Sequence, residues 1–258
     1  MLRPRIIPCL LLKNKGLVKT VNFQSPKYVG DPVNAVRIFN EKEVDELIVL
    51  DIEATSNNRQ PDYSMIENLA AECRMPFCYG GGVRTPEQAQ RIIGLGVEKV
   101  AVSSAAVETP ELVSKIAEQV GNQSVAVVLD VKKSPGGGYT VWTYNGTKCT
   151  EKCPIAVAHL MEKHGAGEIV VNSIDNDGVM KGYDCALVEL IRKAISVPMT
   201  VVGGAGSLQD IQELIRKFGI IGAAAGSLFV FKGAYKAVLI NYPNRREKEK
   251  LAANLPSN

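Results

Sequence analysis

Charge of either sign is nearly absent on balance: 30 Lys+Arg against 27 Asp+Glu leave +3 over 258 residues. That speaks against a strongly basic nucleic-acid binder or a charge-driven membrane-surface protein, and no nucleic-acid motif is found. Long hydrophobic runs are lacking too. The longest internal tract, Ile220 to Phe231, stops at Lys232, far short of the roughly 20 residues needed to span a bilayer. The opening Met1 to Leu12 carries two Arg and a short apolar run that meets Lys13 without a small-residue cleavage pattern. It reads as a buried strand rather than a signal peptide. Cysteine is sparse and scattered, at Cys9, Cys73, Cys78, Cys149, Cys153 and Cys185, which suits reduced thiols in a cytoplasmic protein rather than a disulfide framework. Cys149 and Cys153 with His159 and His164 have metal-ligand chemistry, but their spacing is loose and the two His do not share a helix face. No metal site is read there.

What is present is rhythm. Eight apolar runs, Ile6–Leu12, Glu46–Ile52, Met75–Tyr79, Lys99–Ser103, Ser124–Val131, Glu168–Ser173, Met199–Val202 and Ile220–Ala225, alternate with helix-compatible segments. Runs without polar alternation indicate strands buried on both faces, as in a parallel sheet covered by helices. Thr85-Pro86 and Thr109-Pro110 both read as helix starts, Thr capping and Pro in the first turn. Eight such units in this length predict a single (β/α)8 TIM barrel spanning residues 1–258. Glu46 and Glu168, and likewise Pro76 and Pro198, stand 122 residues apart in similar surroundings. The barrel is therefore expected to be a twofold repeat of half barrels, about 1–122 and 123–240, with a charged tail 241–258 whose last helix is solvated. No Pro-, Gly- or Ser-rich linker divides the halves; Ser134-Pro-Gly-Gly-Gly138 reads as a hairpin turn pairing Val128–Val131 with Tyr139–Tyr144.

Gly80-Gly81-Gly82 and Gly203-Gly204-Ala205-Gly206 each follow an apolar run and precede a helical segment. Glycine lets backbone N–H groups approach an anion closely. One run later, each half carries a small hydroxyl-bearing pair, Ser103-Ser104 and Gly226-Ser227. Two such cradles on one barrel face predict a phosphorylated small molecule with a phosphate at each end, held by Gly81, Gly82, Ser103, Ser104, Gly204, Ala205, Gly226 and Ser227. Asp51, Asp130, Asp175 and Asp177 stand at or just after strand ends, where barrel chemistry occurs. Each alone could also be a cap or loop anchor. Asp130, between the cradles in chain order, is the favoured acid or base. At the opposite strand ends stand Arg5, Glu46, Lys99 and Glu168, whose alternate-strand placement predicts one layer of two cations and two anions. Such a layer is either a stabilising ionic plug or a gate.

Arg5-Ile-Ile-Pro-Cys-Leu, Gly30-Asp-Pro32, Asp45-Glu-Leu-Ile-Val-Leu-Asp51, Gly80-Gly-Gly82, Asp130-Val-Lys132, Gly165-Ala-Gly-Glu168, Ser173-Ile-Asp-Asn-Asp-Gly178, Gly182-Tyr-Asp184 and Gly203-Gly-Ala-Gly206 resemble the cyclase subunit of imidazole glycerol phosphate synthase, the HisF family. The resemblance runs from about Arg3 to Phe231. It implies a cytoplasmic enzyme of histidine biosynthesis, a lyase working beside a HisH-like glutaminase subunit. Ammonia would enter through the barrel floor past Arg5, Glu46, Lys99 and Glu168 and react at the top with a bis-phosphate ribulosyl intermediate. The products would be imidazole glycerol phosphate and an aminoimidazole carboxamide ribotide. Lys19, Asp51 and Asp130 would be its catalytic residues, Asp177 and Gly178 would join the phosphate sites, and no cofactor or metal is required. The partner would sit near Arg5, Glu46, Glu98 and Lys99.

The sequence departs from the family at one catalytic position. Leu11 stands where the family has an aspartate, and Asn172 and Val202 also replace polar positions at strand ends. Leucine cannot move a proton, so cyclisation is expected to be poor unless a neighbour such as Glu53 substitutes. The departure resembles a HisF-like branch associated with amidation of surface-polysaccharide sugars, in which the barrel would supply ammonia to a third, amidating protein. A non-catalytic conduit and a sugar-phosphate isomerase are the remaining alternatives; the latter has no need of an ammonia route.

Overall fold

The computed structural model describes residues 3–233 and 235–252. Eight parallel strands close into a barrel: β1 (Arg5–Lys13), β2 (Leu47–Asp51), β3 (Phe77–Gly80), β4 (Lys99–Val102), β5 (Val125–Lys133), β6 (Glu168–Ser173), β7 (Met199–Val202) and β8 (Gly222–Ala225). Each pairs with the next in chain order, and β8 closes on β1 with Arg5 opposite Gly222. Every apolar run of the sequence became one of these strands, with ends that coincide or shift by at most two residues. The alternation fixes two cores. Ile7, Cys9, Ile48, Cys78, Ala101, Ala126, Val128, Val170 and Ala224 fill the lumen, while their neighbours of opposite parity pack outward against the helices.

The covering helices are α1 (Pro32–Glu41), α2 (Tyr63–Glu72), α3 (Pro86–Gly94), α4 (Glu111–Val120), α5 (Pro154–Lys163), α6 (Cys185–Arg192) and α7 (Leu208–Phe218). Thr85 starts α3 through a capping box with Gln88, and Pro86 opens the helix as its sequence predicts. The Thr109-Pro110 signal resolves differently. Thr109 ends a short helix, Ser104–Glu108, so the cap position of α4 falls to Pro110, which offers no side-chain cap.

Two hairpins rise above the strand ends. The expected one extends β5: Ser134–Gly138 turns the chain and Tyr139–Thr143 pairs back, Asp130 opposite Trp142. The other was not expected from the sequence. Gly16–Val21 folds back on β1 through a two-residue turn at Asn14 and Lys15, then pairs with Gln24–Gly30 through a second at Asn22 and Phe23. All four turn residues have positive φ, which two-residue turns between twisted strands demand.

The tail is less solvated than expected. Helix α8 (Arg245–Ala252) buries Leu251 and pairs Lys248 with Asp45 at 2.9 Å. Tyr242 donates its hydroxyl to the Ile6 carbonyl at 2.8 Å. Both ties hold the chain end against the starts of β1 and β2. Residues 253–258 of the expected tail lie outside the described residues. Among the described residues, no helix is long and apolar enough to cross a membrane.

Candidate functional site

At the C-terminal ends of the strands lies a cavity of about 470 Å³. Lys19, Asp51, Asp130, Gly81, Gly82, Ser103, Ser104, Asp177, Gly178, Gly204, Ala205, Gly226 and Ser227 all line it. Thus the residues predicted for the upper face meet there, Asp175 apart, and so does Leu11. Gly81 and Gly204 have φ of +124° and +114°. A side chain on Gly81 would strike the Asp51 carbonyl, and one on Gly204 the Gly182 carbonyl. Glycine is required at both turns, because the backbone must pass this close to a neighbour in a conformation that L residues rarely adopt.

Asp130 is buried at the centre. Its Oδ1 accepts from Asn172 Nδ2 at 3.0 Å and its Oδ2 from Ser103 Oγ at 3.4 Å. Burial pushes the carboxyl up, the two donors pull it down, and the charge of Asp177 adds to the rise; the result is about 7. A group poised there can both give and take a proton near neutrality. Asn172 Oδ1, on the same amide, is buried without a partner, which leaves an acceptor open to an N–H or O–H group. Around them the wall is apolar: Leu11 pairs in register with Leu50, and Val202 pairs with Asn172.

Lys19 reaches in from the unforeseen hairpin and donates to the Cys9 carbonyl at 2.6 Å. Burial lowers its pKa, and among the described residues no carboxylate lies within ion-pair distance. The charge of Asp177 partly offsets that burial, and a buried lysine with no carboxylate in contact favours an incoming anion.

Other predicted residues have structural duties. Asp51 Oδ1 accepts from the Glu53 and Ala54 amides at 2.9 and 3.0 Å, anchoring its own loop. Asp175 accepts from the Lys133 amide. The Asp177 carboxylate takes the Thr20 hydroxyl at 2.6 Å and the Phe23 amide at 3.0 Å, its own amide donates to the Ile174 carbonyl at 3.2 Å and its carbonyl accepts from the Asn22 amide at 2.9 Å, so it pins the first hairpin. Ser104 Oγ is occupied by the Tyr144 amide, and the Gly82 amide by Thr55. Glu53 is drawn to Lys13 at 3.0 Å and lines a separate depression of about 250 Å³ rather than the central cavity, which speaks against the substitute role expected of it. Cys149 and Cys153 are exposed, His159 lies beside Glu162, and His164 bonds Ser114.

At the floor the four charges form a closed ring. Arg5 joins Glu46, and reaches Glu168 at 2.6 Å; Lys99 joins Glu46 at 2.9 Å and Glu168 at 2.8 Å. Burial alone would raise the Glu168 carboxyl, but Arg5 and Lys99 hold it down to about 2. Burial would likewise lower both cations, and the glutamates more than reverse this. The expected alternate-strand layer needs correction. Glu46, Lys99 and Glu168 come from the starts of β2, β4 and β6, but the β8 position is Gly222 and has no side chain. Arg5 enters from the adjacent β1, where its register partner is that glycine. Thr200, on the other side of Gly222, joins the ring and was not foreseen.

Fold and site together define a (β/α)8 barrel with an ion-paired floor, an apolar lumen and a mouth flanked by two glycine turns. The model of the histidine biosynthesis protein family matches residues 5–236. A Vibrio vulnificus relative provisionally named imidazole glycerol phosphate synthase subunit hisF3 is 57% identical over 97% of this chain and 96% of its own. A Leptospira interrogans relative provisionally named as the HisF subunit is 57% identical over 97% and 99%. The imidazole glycerol phosphate synthase subunit HisF of Streptomyces griseus is 39% identical over 88% and 90%. The chain belongs to the HisF family of histidine biosynthesis proteins.

Proposed function

We propose that this chain is a cyclase-type subunit that takes ammonia from a partner glutaminase through its floor and brings it to a bis-phosphate ligand at its mouth. The observation that supports this most is the ion-paired ring of Arg5, Glu46, Lys99 and Glu168 beneath an apolar lumen. A barrel that only isomerised a sugar phosphate would gain nothing from charges placed across its axis, where burying them is costly. The ligand's phosphates would lie against the Gly81 and Gly204 turns, with the Lys19 ammonium supplying a counter-charge. Asp130 is the acid and base of this scheme. It has the protonation range for both roles, and Asn172 and Ser103 orient it.

A second reading rests on Leu11. One of two proton-transfer groups is replaced by an apolar side chain, and each such group is worth about 10²- to 10⁴-fold in rate. Ring closure is then slow, and the chain serves as the ammonia-supplying partner in amidation of a surface-polysaccharide sugar, handing nitrogen to a third protein.

Purified chain with ammonium salt and the bis-phosphate ribulosyl intermediate distinguishes the two. Slow cyclisation, raised by Leu11→Asp, supports the second reading. Full cyclase activity in the unmutated chain refutes the role assigned to Leu11. Failure of inorganic phosphate to perturb the amide resonances of Gly81 and Gly204 refutes the cradles.

A further inference from the structure

Thr200 is wholly buried at the start of β7. Its hydroxyl donates to Glu168 Oε1 at 2.5 Å and accepts from Arg5 Nη2 at 3.3 Å. It has room there because its register partner is Gly222, where any side chain would collide with Thr200 Oγ1. Arg5, the other register partner of Gly222, leans into the same quarter of the barrel. The consequence is an asymmetric ring. Among the described residues, Glu168 is met by Arg5, Lys99 and Thr200, whereas Glu46 is met by the two cations alone.

We infer that Thr200 is a fifth member of the floor ring, a positioning residue that locks Glu168 and Arg5 together so that the floor stays closed and can open only on the Glu46 side. The inference rests on the reading of the floor as an ammonia entrance for its purpose, but the closure itself is measurable without a partner. A hydroxyl bonded to a carboxylate and a guanidinium contributes more than a neutral pair. Its removal at constant volume therefore shifts the floor toward open without disturbing the packing of the lumen.

Cys78 is the reporter. It is buried in the lumen beside the ring, in register with Lys99, while Cys9 stands nearer the mouth and lines the upper cavity. The full chain is treated with methyl methanethiolsulfonate, a small neutral thiol reagent, and modification is read by peptide mass for each cysteine. Thr200→Val is expected to raise the rate at Cys78 about ten-fold with Cys9 unchanged, and Thr200→Ser, which keeps the hydroxyl, to match the unmutated chain. An unchanged Cys78 rate in the Val variant overturns the inference. So does an equal rise at Cys9 and Cys78, which would mean general loosening, or an equal rise in the Ser variant, which would assign the effect to the lost methyl group. In complex with the glutaminase, nitrogen delivered per glutamine hydrolysed is measured on the same variants. If Cys78 is exposed and delivery does not change, Thr200 closes the floor but the ammonia route fails. If neither changes, Thr200 is not part of the closure and the route is unaffected by that result.

Discussion

The two ends of this barrel bury charge under opposite rules. At the floor, two carboxylates meet two cations and a hydroxyl, and burial is compensated. At the mouth, among the described residues, Asp130 is hydrogen-bonded by neutral donors and Lys19 by a carbonyl, beside Leu11 and Val202, with no oppositely charged group in contact with either. A compensated cluster is stable by itself, while an uncompensated one is prepared for something that arrives. Under the proposed function, this difference separates a seal from a binding and proton-transfer site within one lumen.

The strongest way to sharpen the contrast is at the mouth. Asp130→Asn should cut ring closure with ammonium by about 10²- to 10⁴-fold, measured in the Leu11→Asp background where turnover is readable. An unaffected rate would remove Asp130 from the chemistry. At the floor, Lys99→Met leaves two buried carboxylates sharing one guanidinium. It should cost about 3 kcal/mol in urea unfolding, whereas a surface ion pair such as Arg245–Glu249 should cost less than about 1 when broken.

Acidity provides the next test, with opposite signs at the two ends. Asp130 is raised in the folded chain to about 7, so the folded state holds its proton longer than the unfolded state. The stability this gives is complete below about pH 4 and is lost as pH rises toward 7, on the order of 4 kcal/mol. Glu168 is lowered to about 2. Its contribution is present above about pH 4.5 and is lost as pH falls toward 2, on the order of 3 kcal/mol. Urea midpoints of Asp130→Asn and Glu168→Gln across pH should therefore show variants that diverge from the unmutated chain in opposite directions. Parallel curves would erase the distinction between the ends. The smallest effect belongs to the scaffold of the mouth. Tyr139→Phe removes a 2.9 Å bond to Asp184 that ties the second hairpin down, and should cost about 1 kcal/mol in thermal unfolding.

Much of this was legible in the residues. Strands buried on both faces leave unbroken apolar runs, and the glycine turns stand out because only glycine takes those φ values without strain. The four floor charges were visible because ionisable residues at the starts of apolar strands have few structural reasons to be there. What escaped depended on register. Thr200 is an ordinary threonine until its pairing with Gly222 places it beside Glu168, and Arg5 joins the layer only because that glycine vacates a corner. The partnership of Asn172 with Asp130 arises from their direct opposition across β5 and β6, which no spacing in the chain announces. The hairpin that carries Lys19 did leave a signal: Leu17 to Val21 is followed by Asn22, a residue suited to positive φ in a two-residue turn.

Isotope labelling decides whether nitrogen passes through the barrel. The Leu11→Asp chain, bound to its glutaminase, is given glutamine labelled with ¹⁵N in the side-chain amide, the bis-phosphate intermediate and an excess of unlabelled ammonium in solution. If nitrogen travels inside the barrel, the new ring carries the label largely undiluted. A ring with the isotopic composition of the surrounding ammonium would mean that nothing passes the floor, and the reading of this barrel as a conduit would be wrong.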